Sequence, residues 1–401
     1  VLVIGVVLVV NNHMPQLEIP TPIMPNPNAR DLFIQAANAA QNGTALGTGN
    51  APLPLGQQQQ MLLSDAPALA TMHQALNCPY MELPARRFTV MFPHYAQLRS
   101  LARSVAFDSS VEAASGRWDA ASELALDDVQ MGEMIPHGGV IIGELVGVAC
   151  GAIGRSQVWP TVDHVSATEA RRALTRLQQC DALHVPYKDT LTEEKWFGLA
   201  GMADTLRRTS GTVTMASANG TNRLAGVGMM LYVLALGKGR VMGNLRNTYD
   251  HVIAEASKPY APNFSNRLQP NGDMFSQMLL PVLGPGRMKE LDDLAQIRLL
   301  ELAFAMRAYR LEHHELPNSL NDLVTAGYLK SIPADPFRAS GPLMYRKDGA
   351  KPVIYSIGPD GIDNGGTAIY DASRVQGSYS KRASYAVVED SKGDIVAGTN
   401  Q

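Results

Sequence analysis

The stretch "MKELDDLAQIRLLELAFAMRAYRLEHH", residues 288–314, decides how the chain is read. Met288, Leu291, Ala295, Leu299, Leu302, Met306 and Tyr309 recur at steps of three and four, which lays one apolar stripe along a helix. Ile297, Leu300, Phe304 and Leu311 form a second stripe beside it. Glu290, Asp293, Glu301, Arg307 and Arg310 are left to cover the remainder. A helix apolar over so much of its girth has to be covered on two sides. One cover is expected from a sheet of its own module, the other from a helical domain or another subunit.

Downstream, residues 354–366 read "IYSIGPDGIDNGG", an apolar β-like start running into four glycines, two aspartates, an asparagine and a proline. Gly, Asp and Asn tolerate the left-handed backbone of tight turns, so a surface turn is one reading. The other is a cation loop, in which carboxylates and backbone carbonyls gather around a hard metal. It is not an EF-hand, because Asp360, Asp363 and Asn364 miss the alternating pattern of that motif.

The segments "LPNSLNDLV" (316–324), "GYLKSIPADPF" (327–337), "PLMYR" (342–346), "VIYSIGPDGIDNGG" (353–366) and "KGDIV" (392–396) together resemble the C-terminal half of type II secretion major pseudopilins and related pilin-like proteins. The resemblance covers about 110 residues of 401. It implies a long helix packed on a small antiparallel sheet, with calcium held by the Gly-Asp loop. Carried over by position, Asp360 matches the loop aspartate and Ile357 a carbonyl donor, and Asp394 matches the closing Asp-Ile element loosely. Asp363 is added from spacing alone. Residues 367–391 look like an insertion between the loop and Asp394. The chain also departs from a prepilin at its start: residue 5 is Gly rather than Glu, and some 275 residues separate the first apolar run from the module.

That first run, "VLVIGVVLVV", is about half the roughly 20 apolar residues a spanning helix needs. Val1, Leu2, Val3, Ile4, Val6, Val7, Leu8, Val9 and Val10 are expected to serve assembly, as part of a longer membrane anchor or as a strand donated to a neighbour's sheet. Both readings place the rest outside the cytoplasm, at the cell surface. Prolines at 15, 20, 22, 25 and 27 make residues 11–28 a stiff tether. Residues 29–283 read as a mainly α domain of helical hairpins and 284–401 as the α+β module, with "LGPGR" (283–287) as the boundary. Asn28 is a candidate N-cap, residues 42–60 a loop, and Met61 to about Gln179 a helical region broken at prolines. Within it "SGRWDAASELALDDVQMGEMI" (115–135) resembles one helix of a tetratricopeptide hairpin. "GGVIIGELVGVACGAIG" (138–154) sets Gly143, Gly147 and Gly151 on one face, a ridge that lets a second helix come close. Ser166 and Glu169 form a capping box before another helix.

A net charge of −3 with 18% charged residues carries no basic excess of the kind that marks nucleic-acid binders. Cys78, Cys150 and Cys180 lie far apart and make no Cys-x-x-Cys pair. "LYVLALGKGRVMGNL" (231–245) spaces Gly237, Gly239 and Gly243 like some dinucleotide loops, but no alternating strand-helix series surrounds it. His313 and His314 suit a helix C-terminus better than a metal. Asn42, Asn219 and Asn263 begin glycosylation triplets. The expectation is an exported non-enzymatic structural protein, self-assembling into an extracellular filament or surface array. The alternative is a membrane-tethered monomeric scaffold or binding protein, and third comes an enzyme with a helical domain.

Overall fold

The computed structural model describes residues 16–41, 53–207, 236–268, 274–348, 351–375 and 384–400. The assembly residues Val1–Val10, the sequons at Asn42 and Asn219, and the small polar stretch 209–228 lie outside them. The described chain is mainly helical, with one small three-stranded antiparallel sheet.

The helices are α1 (Ala29–Ala39), α2 (Leu55–Leu76), α3 (His94–Ala114), α4 (Trp118–Met134), α5 (Ile141–Val158), α6 (Ala167–Leu183), α7 (Tyr187–Arg207), α8 (Lys238–Ala256), α9 (Phe264–Arg267), α10 (Met274–His313) and α11 (Leu320–Thr325). Asn28 caps α1 by accepting from the Arg30 amide at 3.1 Å, and its side-chain amide donates to the Met81 carbonyl at 2.9 Å. Ser166 caps α6, accepting from the Glu169 amide at 3.1 Å. Two local expectations are corrected. Leu55–Gln60 is helical rather than looped: Pro54 precedes the first turn, where no amide partner is lost, and the glutamines that follow are good helix formers. Leu283–Arg287 lies inside the 40-residue α10 rather than between elements, because packing on both sides overrides the local preference of Pro285 and its flanking glycines.

The glycine ridge explains how α4 and α5 cross. A Cβ added to Gly147 would lie 2.5 Å from the Gly132 carbonyl oxygen, and one added to Gly132 would lie 2.7 Å from the Gly151 nitrogen. Only hydrogen at these positions lets the two backbones touch. Ile141–Thr161 is long and apolar enough to cross a bilayer by length and composition, and 56% of its most apolar window is buried within the protein.

Three cores result. One joins α1 to α5 around Phe33, Met72, Leu98, Leu101 and Met131. A second joins α7, α8 and the neighbourhood of Leu283. The third is shared: Leu174 and Leu177 of α6 and Leu126 of α4 meet Ile297, Leu300 and Phe304 of α10, which also packs on Ile354, Ile357 and Ile395 beside the sheet. The two covers expected of the long helix are therefore a helical layer and a sheet. Of the charged residues that cover the remainder of the helix, Glu290, Asp293 and Glu301 are themselves buried, at 2%, 5% and 4% exposed.

The sheet runs β1 (Met344–Asp348), β2 (Lys351–Ser356), β3 (Ile395–Val396) in that order. β1 and β2 pair antiparallel, Met344 opposite Tyr355, and β3 adds at the far end of β2, with Ser356 opposite Ile395. That register brings the Gly-Asp loop, which leaves β2, against the chain entering β3.

Candidate functional site

The loop after β2 is folded by carboxylates that accept backbone amides. Asp394, fully buried, takes the Asn364 amide on Oδ1 at 3.1 Å and the Gly366 amide on Oδ2 at 2.7 Å. Its own amide donates to the Thr367 carbonyl at 2.7 Å, and its carbonyl accepts from Ile369 at 3.0 Å. Asp360 accepts from the Ile362 amide at 3.0 Å, an Asx-type turn, and from the Gly393 amide at 3.3 Å. Asp363 accepts from the Gly365 amide at 2.9 Å and the Tyr355 hydroxyl at 3.1 Å. The three aspartates named from sequence are thus brought to one corner, despite the intervening residues 367–391. Gly358, at φ 69°, lets the chain pass: an added Cβ would lie 2.7 Å from the Gly393 carbonyl oxygen.

Ile357 enters this corner through its amide, which donates to Asp335 at 2.9 Å. Asp335 also accepts the Ser356 hydroxyl at 2.7 Å and the Phe337 amide at 3.0 Å. Sequence reading did not single out Asp335; the available signal was its place before a proline, where an aspartate commonly opens a turn. Burial raises the pKa of Asp335, against the pull of its hydrogen bonds. Burial also raises that of Asp394; its amide donors oppose the rise and the Asp363 charge adds to it.

The oxygen-only donor set suits a hard cation by type. In this geometry each of the three aspartates is also bonded to amides of the loop itself. Among the described residues no group of three or more His, Cys, Asp or Glu side chains is placed to hold a metal.

A second polar centre, not expected from sequence, lies where α4, α5, the α6–α7 turn and α10 meet. His184 donates between two acids, Nε2 at 2.8 Å from Glu290 and Nδ1 at 3.5 Å from Glu133. Arg287 pairs with Glu290 at 2.9 Å, Arg155 with Asp293 at 2.5 Å, and Thr190 donates to Glu144 at 2.7 Å. Burial pushes Glu144 up to about 7. Burial, then the Asp293 charge, raises Glu133 well above the carboxylate range. For His184 burial acts downward, but the bonds to Glu133 and Glu290 outweigh it and hold the ring as imidazolium, with a pKa of about 11. These groups interlock helices.

The other sequence candidates are accounted for individually. Gly237, at φ 80°, precedes α8, and Gly239 and Gly243 lie within it. His313 stacks on Tyr309 at the end of α10, with ring centroids 4.2 Å apart. Cys78, Cys150 and Cys180 are all free thiols. Comparison of the chain with protein-family models, curated proteins and solved structures returned no match.

Proposed function

We propose that the chain is an exported, non-enzymatic structural protein: a helical domain followed by a pseudopilin-like module, assembling with copies of itself into a filament or surface array. The observation that carries this reading is the order of elements along the C-terminal part. A long helix, a short capped helix, an antiparallel hairpin, a Gly-Asp loop and a closing strand follow one another, an order that supports this reading. Exposed Leu63 and Met91 in the helical domain, and Ile23 in the tether before it, add apolar surface of the kind lateral packing uses.

Electron microscopy of the purified chain, and of the native cell surface, tests the reading directly. Filaments or arrays that lose protease sensitivity at residues 1–10 on assembly support it. A chain that stays monomeric at every concentration and needs detergent overturns it in favour of the tethered scaffold. Calcium at the Asp360 loop is an independent part of the proposal. Adding millimolar calcium is expected to raise the melting temperature, and Asp360→Ala is expected to abolish that rise. An unchanged melting temperature in calcium and in chelator removes the metal from the proposal while leaving the assembly reading standing.

A further inference from the structure

A groove of about 760 Å3 runs between the end of α5, the outward face of α10 and the sheet. Trp159, Met306, Leu316 and Ile354 give it an apolar lining. Arg307 and Arg310 stand at its edge one helical turn apart, and Asp163 is the single carboxylate on its wall among the described residues. Such a volume falls in the range of small-molecule sites, which are apolar surfaces with a few placed polar groups.

The charge on this edge is unbalanced and partly pre-organised. Nε and Nη2 of Arg307 donate to the Val165 carbonyl at 3.2 and 2.9 Å, which fixes the guanidinium in place. Burial, and then the neighbouring Arg310 charge, pulls its pKa below the usual arginine value, with Asp163 opposing. Arg310 is exposed, and among the described residues neither arginine forms an ion pair with a carboxylate. Two adjacent cations beside a lining of mixed apolar and polar surface complement a ligand that carries one anionic group on an apolar body. A fixed guanidinium binds such a group with little further loss of side-chain freedom.

We propose that this groove binds a small amphipathic organic anion, an aryl or alkyl carboxylate or sulfonate, with its charge between Arg307 and Arg310 and its apolar body on Trp159, Met306 and Ile354. The site does not depend on the assembly reading.

The test uses the full chain and 1-anilinonaphthalene-8-sulfonate, followed by fluorescence and by calorimetry for stoichiometry. One saturable site is expected, displaced by decanoate. N-phenyl-1-naphthylamine, a similar body without the sulfonate, should bind at least about tenfold more weakly, as loss of a charge-assisted contact implies. Arg310→Glu should weaken the anion by about tenfold or more, and Arg310→Lys should restore most of the affinity. Because Arg310 is exposed, both variants are expected to melt with the parent chain. Equal binding of the charged and neutral probes, unchanged affinity in Arg310→Glu, or no saturable site would overturn the proposal.

Discussion

Asp394 accepts amides from Asn364 and Gly366 while its own amide and carbonyl bond to Thr367 and Ile369, so one buried residue closes back onto a loop residue, Asn364, thirty positions earlier. Removing its carboxylate takes the shared acceptor from the amides of Asn364, an exposed residue, and of half-buried Gly366, and empties a site that is itself buried. Asp394→Ala is therefore expected to lower unfolding free energy by about 1–3 kcal/mol, the range for a stranded polar group. Asp363 is exposed, and its donors can turn to water, so Asp363→Ala should lose about 1 kcal/mol or less. Denaturant titration of both variants checks the difference; equal losses would mean that burial does not set the weight of these bonds. Asp360 and Asp363 were recognisable from their Gly-rich setting and Asp394 from its Asp-Ile neighbours. Asp335 was not, because an isolated aspartate before a proline looks the same on a surface as in a core.

At the scale of elements, the α4–α5 crossing rests on glycine. Gly147→Val would drive two methyl groups into the Gly132 carbonyl and the Pro136 ring, and is expected to destabilise by about 3 kcal/mol or more. Ala149→Val, at a half-buried position two residues further along α5, serves as the control; a similar loss in both would mean that the ridge is not a close contact. The polar centre beside this crossing predicts a pH dependence. Glu144 has a folded pKa of about 7, above its unfolded value, so the folded chain holds the proton more tightly. Its contribution therefore favours folding below about pH 4.5 and declines as pH rises through about 7. His184 acts in the same direction: its stabilisation is complete below the ordinary histidine value and is lost as pH climbs towards about 11. Stability should thus fall between pH 5 and pH 8, and Glu144→Gln should flatten the slope by an amount on the order of 2–3 kcal/mol across that interval. Chemical denaturation at several pH values measures it, and a slope unchanged in the variant would show that Glu144 titrates normally. The helix stripes along α10 were legible because apolar spacing survives in any fold. Its buried acids were not, since periodicity marks which residues share a face but not whether a polar partner covers that face.

For the whole molecule, the decisive feature is that α10 belongs to two packing systems at once. Leu174 and Leu177 press on it from the helical layer, and Ile354 and Ile395 press from the sheet, within one continuous core. The chain from α4 to β3 should therefore unfold as a single cooperative unit. Calorimetry is expected to give one main transition for this region. Leu177→Ala, which opens a cavity under the shared helix, should lower that transition as a whole, with a loss of about 2–4 kcal/mol. A variant that melted the helical layer and left the sheet module at its original temperature would show that the two are independent.

The sequence alone determined that residues 288–313 are helical and need cover on two sides, that Asn28 and Ser166 begin helices, and that Gly143, Gly147 and Gly151 lie on one helix face. These follow from periods of three to four residues and from capping chemistry, both of which are local. Tertiary structure alone decided that α10 continues through "LGPGR" to Met274, that Glu290 and Asp293 are buried against His184 and Arg155, and that Asp394 rejoins the loop beside Asp360. Each of these depends on partners far apart in the chain, and the free energy that settles them comes from burial and pairing between segments that no local pattern connects.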